Sequence, residues 1–236
     1  MSARWSFVLP LALAACASST SEPEPQAPPR RPASRPASQP AAEKAPMSEA
    51  DRLAKQIVES FGDPRELTGI QFGFEVQIEG EVALSRFHIW CPSTGKASVT
   101  SQDGKTTVVD VEEMPDDPDE AEAHSTYIND SYWVFAPAKL MDPGVHREIN
   151  EDDELHIWFD EGVGYTSGDH YWFEIDRERN RVTSWRFRLE SGREAAYSWE
   201  GYGRFGPLTL ATTHIRSDGM IIRHPDMAVL TACPFE

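Results

Sequence analysis

The sequence predicts a mostly β domain of the α+β class: one leading helix, then a long antiparallel meander of about ten or eleven short strands. Three observations predict it. A single amphipathic segment with a start and a stop signal opens the domain. After it the apolar period changes from helical spacing to alternation and stays there. The alternating segments follow one another through short turns, without the helix-strand alternation that a parallel sheet requires.

The elements run as follows. Residues 1–15 (MSARWSFVLPLALAA) place Arg4 before a short apolar run, the anatomy of a secretory signal rather than a membrane span. The run ends in Leu13-Ala14-Ala15-Cys16, which resembles the lipobox of bacterial lipoproteins; Cys16 is the expected lipid anchor. Several acyl chains on one cysteine hold a protein on a bilayer stably, where one chain holds it marginally. Ala17 after the cysteine, by resemblance to Gram-negative lipoproteins, points to the outer membrane, facing the periplasm. Residues 16–46 carry eight prolines and almost no large apolar side chain. They cannot bury enough surface to offset their ordering and are expected to form a tether, reaching up to ~90 Å in polyproline geometry. Residues 47–236 form the domain.

Ser48 caps a helix over 48–61, with Asp51 three residues on, Leu53, Ile57 and Phe61 along one face and Gly62-Asp63-Pro64 as the stop. In residues 69–80, Ile70, Phe72, Phe74, Val76 and Ile78 fall on one face and Gln71, Glu75, Gln77 and Glu79 on the other. Next, Phe87, Ile89 and Cys91 alternate with His88 and Trp90. Gln102-Asp103-Gly104-Lys105 is a hairpin turn. Residues 114–124 (MPDDPDEAEAH) read as an acidic loop running into a short helix, and Asn129-Asp130-Ser131 as turn or cap chemistry. Tyr132, Trp133, Val134 and Phe135 are too apolar to lie together in water, and Pro137 bars an ordinary strand or helix interior there. The segment is expected to be a lid or seam laid on the sheet, closed by a reversal at Asp142-Pro143-Gly144. Alternation resumes at Leu155, Ile157 and Phe159, at Tyr171, Phe173 and Ile175, and at Trp185, Phe187 and Leu189. A turn at Glu190-Ser191-Gly192-Arg193 leads to Ala195, Tyr197 and Trp199, and a last hairpin joins 208–216 to 219–223.

The formal charge is −17, and the signal and tether are net basic, which leaves the domain strongly acidic. That argues against nucleic acid and against docking of the domain onto a surface of anionic lipid headgroups, since both need a basic surface. With Cys16 assigned to the anchor, Cys91 and Cys233 remain, each followed by proline; in an oxidising periplasm they form a disulfide or stand as separate buried thiols.

The single helix, the long one-faced meander and the midway insertion resemble the LolA/LolB-type lipoprotein-carrier superfamily. Residues 87–96 (FHIWCPSTGK), the block from Asn129-Asp130-Ser131-Tyr132-Trp133 to Asp142-Pro143-Gly144-Val145, and the hairpin over 171–189 resemble an uncharacterised branch of it. The resemblance implies a strongly curved sheet or unclosed barrel, covered by one or two helices, with an apolar cavity inside. The cavity or lid candidates are Phe72, Phe74, Val76, Tyr132, Trp133, Phe135, Leu53 and Ile57, and the expected ligand is a lipid or acyl chain. The same residues can instead be a filled core, in a structural or interaction protein. The resemblance also implies that Cys91 replaces a polar turn residue.

No catalytic set, metal site or cofactor is expected. There is no His-Glu-x-x-His, no Gly-x-Ser-x-Gly and no phosphate-cradling glycine loop. The runs 116–120 and 151–154 lack the glycine and terminal glutamate of a calcium loop and read as solvated loops. A carboxylate pair for glycan chemistry leaves no spacing signature; the tryptophans read first as core.

Overall fold

The computed structural model describes residues 46–159 and 168–235. The expected signal, Cys16 and the tether up to residue 45 lie outside the described residues.

Helix α1 (Glu49–Phe61) begins where its cap chemistry dictates. The Ser48 hydroxyl accepts from the Asp51 amide at 3.0 Å and donates to the Asp51 carboxylate at 2.7 Å. Gly62 ends it at φ +99°, and a Cβ there would come within 2.5 Å of the Pro207 carbonyl oxygen. Ala50, Leu53, Ala54, Ile57 and Phe61 form its buried stripe.

Strands β1 (Gly69–Ile78), β2 (Glu81–Cys91), β3 (Lys96–Thr100) and β4 (Thr106–Asp110) form a meander. The expected hairpin closes β3 on β4, with Gly104 at φ +85°. Helix α2 (Pro118–Phe135) and a 3-10 turn (Ala136–Lys139) follow. A second meander then runs through β5 (Val145–Ile149), β6 (Leu155–Phe159), β7 (His170–Asp176), β8 (Arg181–Arg188) and β9 (Glu194–Ser198). The short strands β10 (Gly203–Phe205) and β11 (Leu208–Leu210) pair with each other. Strands β12 (Thr213–Ile215), β13 (Ile221–Arg223) and β14 (Ala228–Leu230) return to the first sheet, whose order is β12-β13-β1-β2-β3-β4, with β14 also on β1.

The two sheets meet along one line, through antiparallel bridges Tyr197↔Arg216 and Glu200↔Thr213. Their other edges, β4 and β5, do not pair among the described residues. The result is the expected bent antiparallel sheet that does not close into a barrel, with helices packed against it. No helix among the described residues is long and apolar enough to cross a membrane.

Four expectations need correction. The strands among the described residues number fourteen, because the end of the chain is cut into three-residue pieces and 208–216 splits between β11 and β12. The acidic run is loop only as far as Asp117, and the helix it runs into is long, not short. The Asp117 carboxylate accepts from the amides of Asp119 and Glu120 at 3.0 and 3.1 Å, and Pro118 opens an 18-residue helix with acids in its first turn. Asn129-Asp130-Ser131 therefore lies inside that helix, not in a turn or cap. In β2 the inward residues are Arg86, His88 and Trp90, opposite Phe74, Phe72 and Ile70, while Phe87 and Ile89 face out. The Asp142-Pro143-Gly144 reversal is present, with Gly144 at φ +80°.

The core has two parts. One joins α1, Trp133 and the second sheet around Leu155, Phe173 and Trp185; the other joins Phe61, Ile70, Phe72, Tyr127 and Phe135 to the first sheet and β11. Cys91 and Cys233 are bonded, with Cα atoms 5.9 Å apart across 142 residues of sequence. The bond ties the C-terminal tail to the end of β2. Closing so long a loop removes unfolded-state entropy, so a C91S/C233S double variant is expected to lose roughly 2–5 kcal/mol of unfolding free energy in urea titration. An unchanged midpoint would show that the bond contributes nothing.

Candidate binding cavity

Between α2 and the two sheets lies a cavity of about 530 Å³, within the size range of small-molecule pockets. Ser125, Ile128, Asn129, Tyr132 and Trp133 line it from one stripe of α2, the i, i+3, i+4, i+7 and i+8 positions of a helix face. β1 and β2 supply Phe74, Val76, Leu84 and Arg86. β7, β8 and β9 supply Tyr171, Trp185, Phe187 and Tyr197, and β13 supplies Ile222.

The floor is made of rings at angles to one another. Trp133 stands edge-on to Trp185 at 4.9 Å and to Tyr197 at 4.8 Å between centroids. Tyr132 lies over Trp185 at 5.8 Å and against Tyr171 at 5.2 Å. Such edge-on contacts are a preferred way for aromatic rings to pack. Ser125 and Asn129 are exposed and mark the mouth, while Trp133, Tyr171, Trp185, Phe187 and Tyr197 are buried.

A second stripe of α2, Ala123, Tyr127, Asp130 and Val134, is buried against the first sheet. Asp130 has no solvent exposure. Arg86 donates to both its oxygens at 3.1 and 2.9 Å, His88 bonds it at 3.0 Å and the Asn129 amide donates at 2.9 Å. A buried carboxylate tolerates burial only when its lone pairs are filled in this way.

Three charged side chains line the cavity: Arg86, Arg193 and Asp169. The Arg193 guanidinium lies 5.9 Å from the Phe187 ring centroid and, among the described residues, forms no ion pair. Asp169 accepts from the Glu190 amide at 2.9 Å and from the Tyr171 hydroxyl at 3.2 Å, and no basic side chain among the described residues pairs with it. Burial pushes its carboxyl above the usual range in spite of those donors. Burial likewise pushes the Tyr132 and Tyr171 phenols up.

Of the candidates named from sequence, Phe74, Val76, Tyr132 and Trp133 stand on the cavity wall. Phe72 and Phe135 meet edge-on at 6.0 Å in the filled core under β2. Leu53 and Ile57 seat α1 so closely that only about 10 Å³ remains beside Ile57 and Phe61. The cavity therefore opens beneath α2, not beneath α1. Sequence reasoning missed Arg86, Arg193, Asp169 and Ile128. The helical spacing of the α2 stripe was the available signal, hidden by reading Asn129-Asp130-Ser131 as a turn or cap.

No protein-family model matches the chain, and no curated protein matches it. Several solved structures are similar to it, including two that align over most of its length. A DUF1329 family protein from Desulfovibrio piger aligns over 80% of this chain and 95% of its own, at 8% identity and a TM-score of 0.43. A LolA superfamily protein from Nitrosomonas europaea aligns over 78% and 94%, at 10% identity and a TM-score of 0.39. The functional reading below rests on the cavity itself.

Histidines unremarkable in sequence come together in space. On the outer face of the second sheet, His156 donates from Nδ1 to Glu148 at 2.9 Å, and its Nε2 meets His170 Nδ1 at 2.9 Å. No group of three or more metal-ligating side chains gathers among the described residues. Inside, His214 and His224 stand 5.3 Å apart, bonded to the carbonyls of Ser198 and Gly73. Burial holds His214 well below its ordinary range and His224 down to about 4.

Two predictions follow from this interior. The unfolded chain takes up protons on both histidines before the folded protein does, so their stabilising contribution is complete above about pH 6.5 and is lost as pH falls toward about 4. Between about pH 7 and pH 5 the loss is roughly 2 kcal/mol for His224, seen as a lower urea midpoint and reduced in His224→Gln. A flat stability profile across that window would contradict neutral burial. Arg86→Met strands the Asp130 charge and is expected to cost about 3–5 kcal/mol. Adding Asp130→Leu should restore much of it, and a double variant no more stable than the single one would show that the pair does not act as a unit.

Proposed function

We propose that this chain is a membrane-anchored envelope lipoprotein whose domain holds a hydrophobic ligand, a lipid or acyl chain, in the cavity beneath α2. The observation that carries this reading is an open space of about 530 Å³ walled by Trp133, Trp185, Tyr171, Phe187 and Tyr197. Water against the apolar part of this wall is displaced favourably by apolar surface, so a hydrophobic occupant is favoured. Each methylene taken from water into it contributes roughly 0.8 kcal/mol, on the order of 10 kcal/mol gross for a long chain. The domain is a binding module rather than an enzyme in this reading.

The anchor is Cys16, and the place of action is the periplasmic face of the outer membrane in a Gram-negative bacterium. The Cys91–Cys233 bond fits an exported, oxidising setting. The alternative, a structural or interaction lipoprotein with a filled core, describes the packing around α1 but leaves the space beneath α2 without a role.

Phenylnaphthylamine, a neutral dye that brightens in apolar surroundings, tests the cavity. The protein should bind it in competition with long-chain lipids, and Ile128→Trp, which fills space from the half-buried edge of α2, should weaken binding about tenfold or more without loss of fold. Equal binding by both forms would place the dye elsewhere and remove the support for a cavity ligand. For the anchor, labelled palmitate should enter the wild-type protein in cells and not Cys16→Ser. Label in the variant would refute the assignment.

A further inference from the structure

We propose that the cavity selects single-chain amphiphiles with an anionic head, the chain lying on the aromatic floor and the head held at the mouth by Arg193 and flanked by Arg86. The inference rests on the hydrophobic-ligand reading above and adds a class of ligand to it.

Charge placement carries the argument. The chain has 39 acidic and 22 basic residues, yet arginines outnumber carboxylates on the cavity wall. Arg193 is exposed, sits in the turn after β8 and has no carboxylate partner among the described residues. Among the described residues its guanidinium meets only the face of Phe187, itself part of the wall. In a strongly acidic protein a surface arginine readily finds a carboxylate; among the described residues this one has none, and its fork of N–H donors stands at the edge of an apolar space. Such a fork matches a carboxylate or phosphate.

Arg86 stands on β2, also on the wall, with 26% of its side chain exposed. Both of its bonds to Asp130 leave from Nη1, so its other N–H groups are uncommitted among the described residues. Asn129 and Ser125, exposed on α2, add neutral hydrogen-bonding groups at the mouth. The one carboxyl on the wall, Asp169, is engaged by the Glu190 amide and the Tyr171 hydroxyl.

Opposite the mouth the wall is apolar, and the cavity volume suits one chain rather than several. A carboxylate head and a phosphate head present the same chemistry to Arg193. They differ in source, a free fatty acid or a lysophospholipid.

The test is displacement of phenylnaphthylamine from the full-length protein by four amphiphiles of equal chain length: dodecanoate, dodecyl phosphate, dodecanol and dodecyltrimethylammonium. At neutral pH and low salt the two anions should bind at least about tenfold more tightly than the alcohol, the advantage of a charge-assisted over a neutral hydrogen bond. Whichever anion binds more tightly identifies the source. Arg193→Gln should erase the advantage, bringing the anions to the affinity of dodecanol; Arg193→Lys should keep part of it. Equal affinity for anion and alcohol, a preference for the cation, or an anion advantage that survives Arg193→Gln would overturn the proposal while leaving the hydrophobic-ligand reading intact. Failure of all four to displace the dye, together with failure of the dye to bind, would overturn both.

Discussion

A single buried carboxylate decides where the second helix lies. Asp130 has no contact with water, and its oxygens are filled by Arg86, His88 and Asn129. Two of those partners project from β2, so the helix can satisfy Asp130 only in one rotation and one position along that strand. Anywhere else the charge would be desolvated and unpaired, at a cost of several kcal/mol. The constraint turns Tyr127 and Val134 into the first sheet and leaves the stripe from Ser125 to Trp133 facing the second.

The space beneath α2 follows from that rotation. The facing surfaces are aromatic on both sides; Trp133 packs edge-on against Trp185 and Tyr197 at 73° and 82°, and the space is left beside these contacts. Under α1 the contacts are made by Ala50, Leu53, Ala54 and Ile57, small or aliphatic side chains that pack without a gap. One domain thus holds two helix–sheet interfaces with different outcomes. The difference lies in the residues each helix presents, not in the sheet they share.

The same contrast explains what could be read from the sequence. α1 was legible because its cap, its stop and its single apolar stripe agree. The hairpins at Gly104, Gly192 and Gly219 were legible because each needs a positive φ and places glycine there. α2 was not, because it is buried on two sides and its apolar residues do not trace one stripe. Its polar triplet, Asn129-Asp130-Ser131, looked like a break because a partner for Asp130 lies 42–44 residues away in sequence. β2 misled for the same reason: alternation put Phe87 and Ile89 inside, but Asp130 draws Arg86 and His88 inward instead. Phe74 and Val76 were correctly placed on the inner face of β1, yet which stretch of that face is filled and which is open depends on α2. Pairing of Cys91 with Cys233 required the three-dimensional path of the C-terminal tail.

The central claim is that the space beneath α2 is occupied in the cell. Native mass spectrometry of protein exported without acylation, and purified without detergent or organic solvent, addresses it directly, because any lipid mass then belongs to a ligand and not to the anchor. The account predicts a non-covalent adduct of one lipid per protein that is lost on collisional activation. A spectrum showing only the bare polypeptide, from protein that still binds no lipid when lipid is supplied, would contradict it.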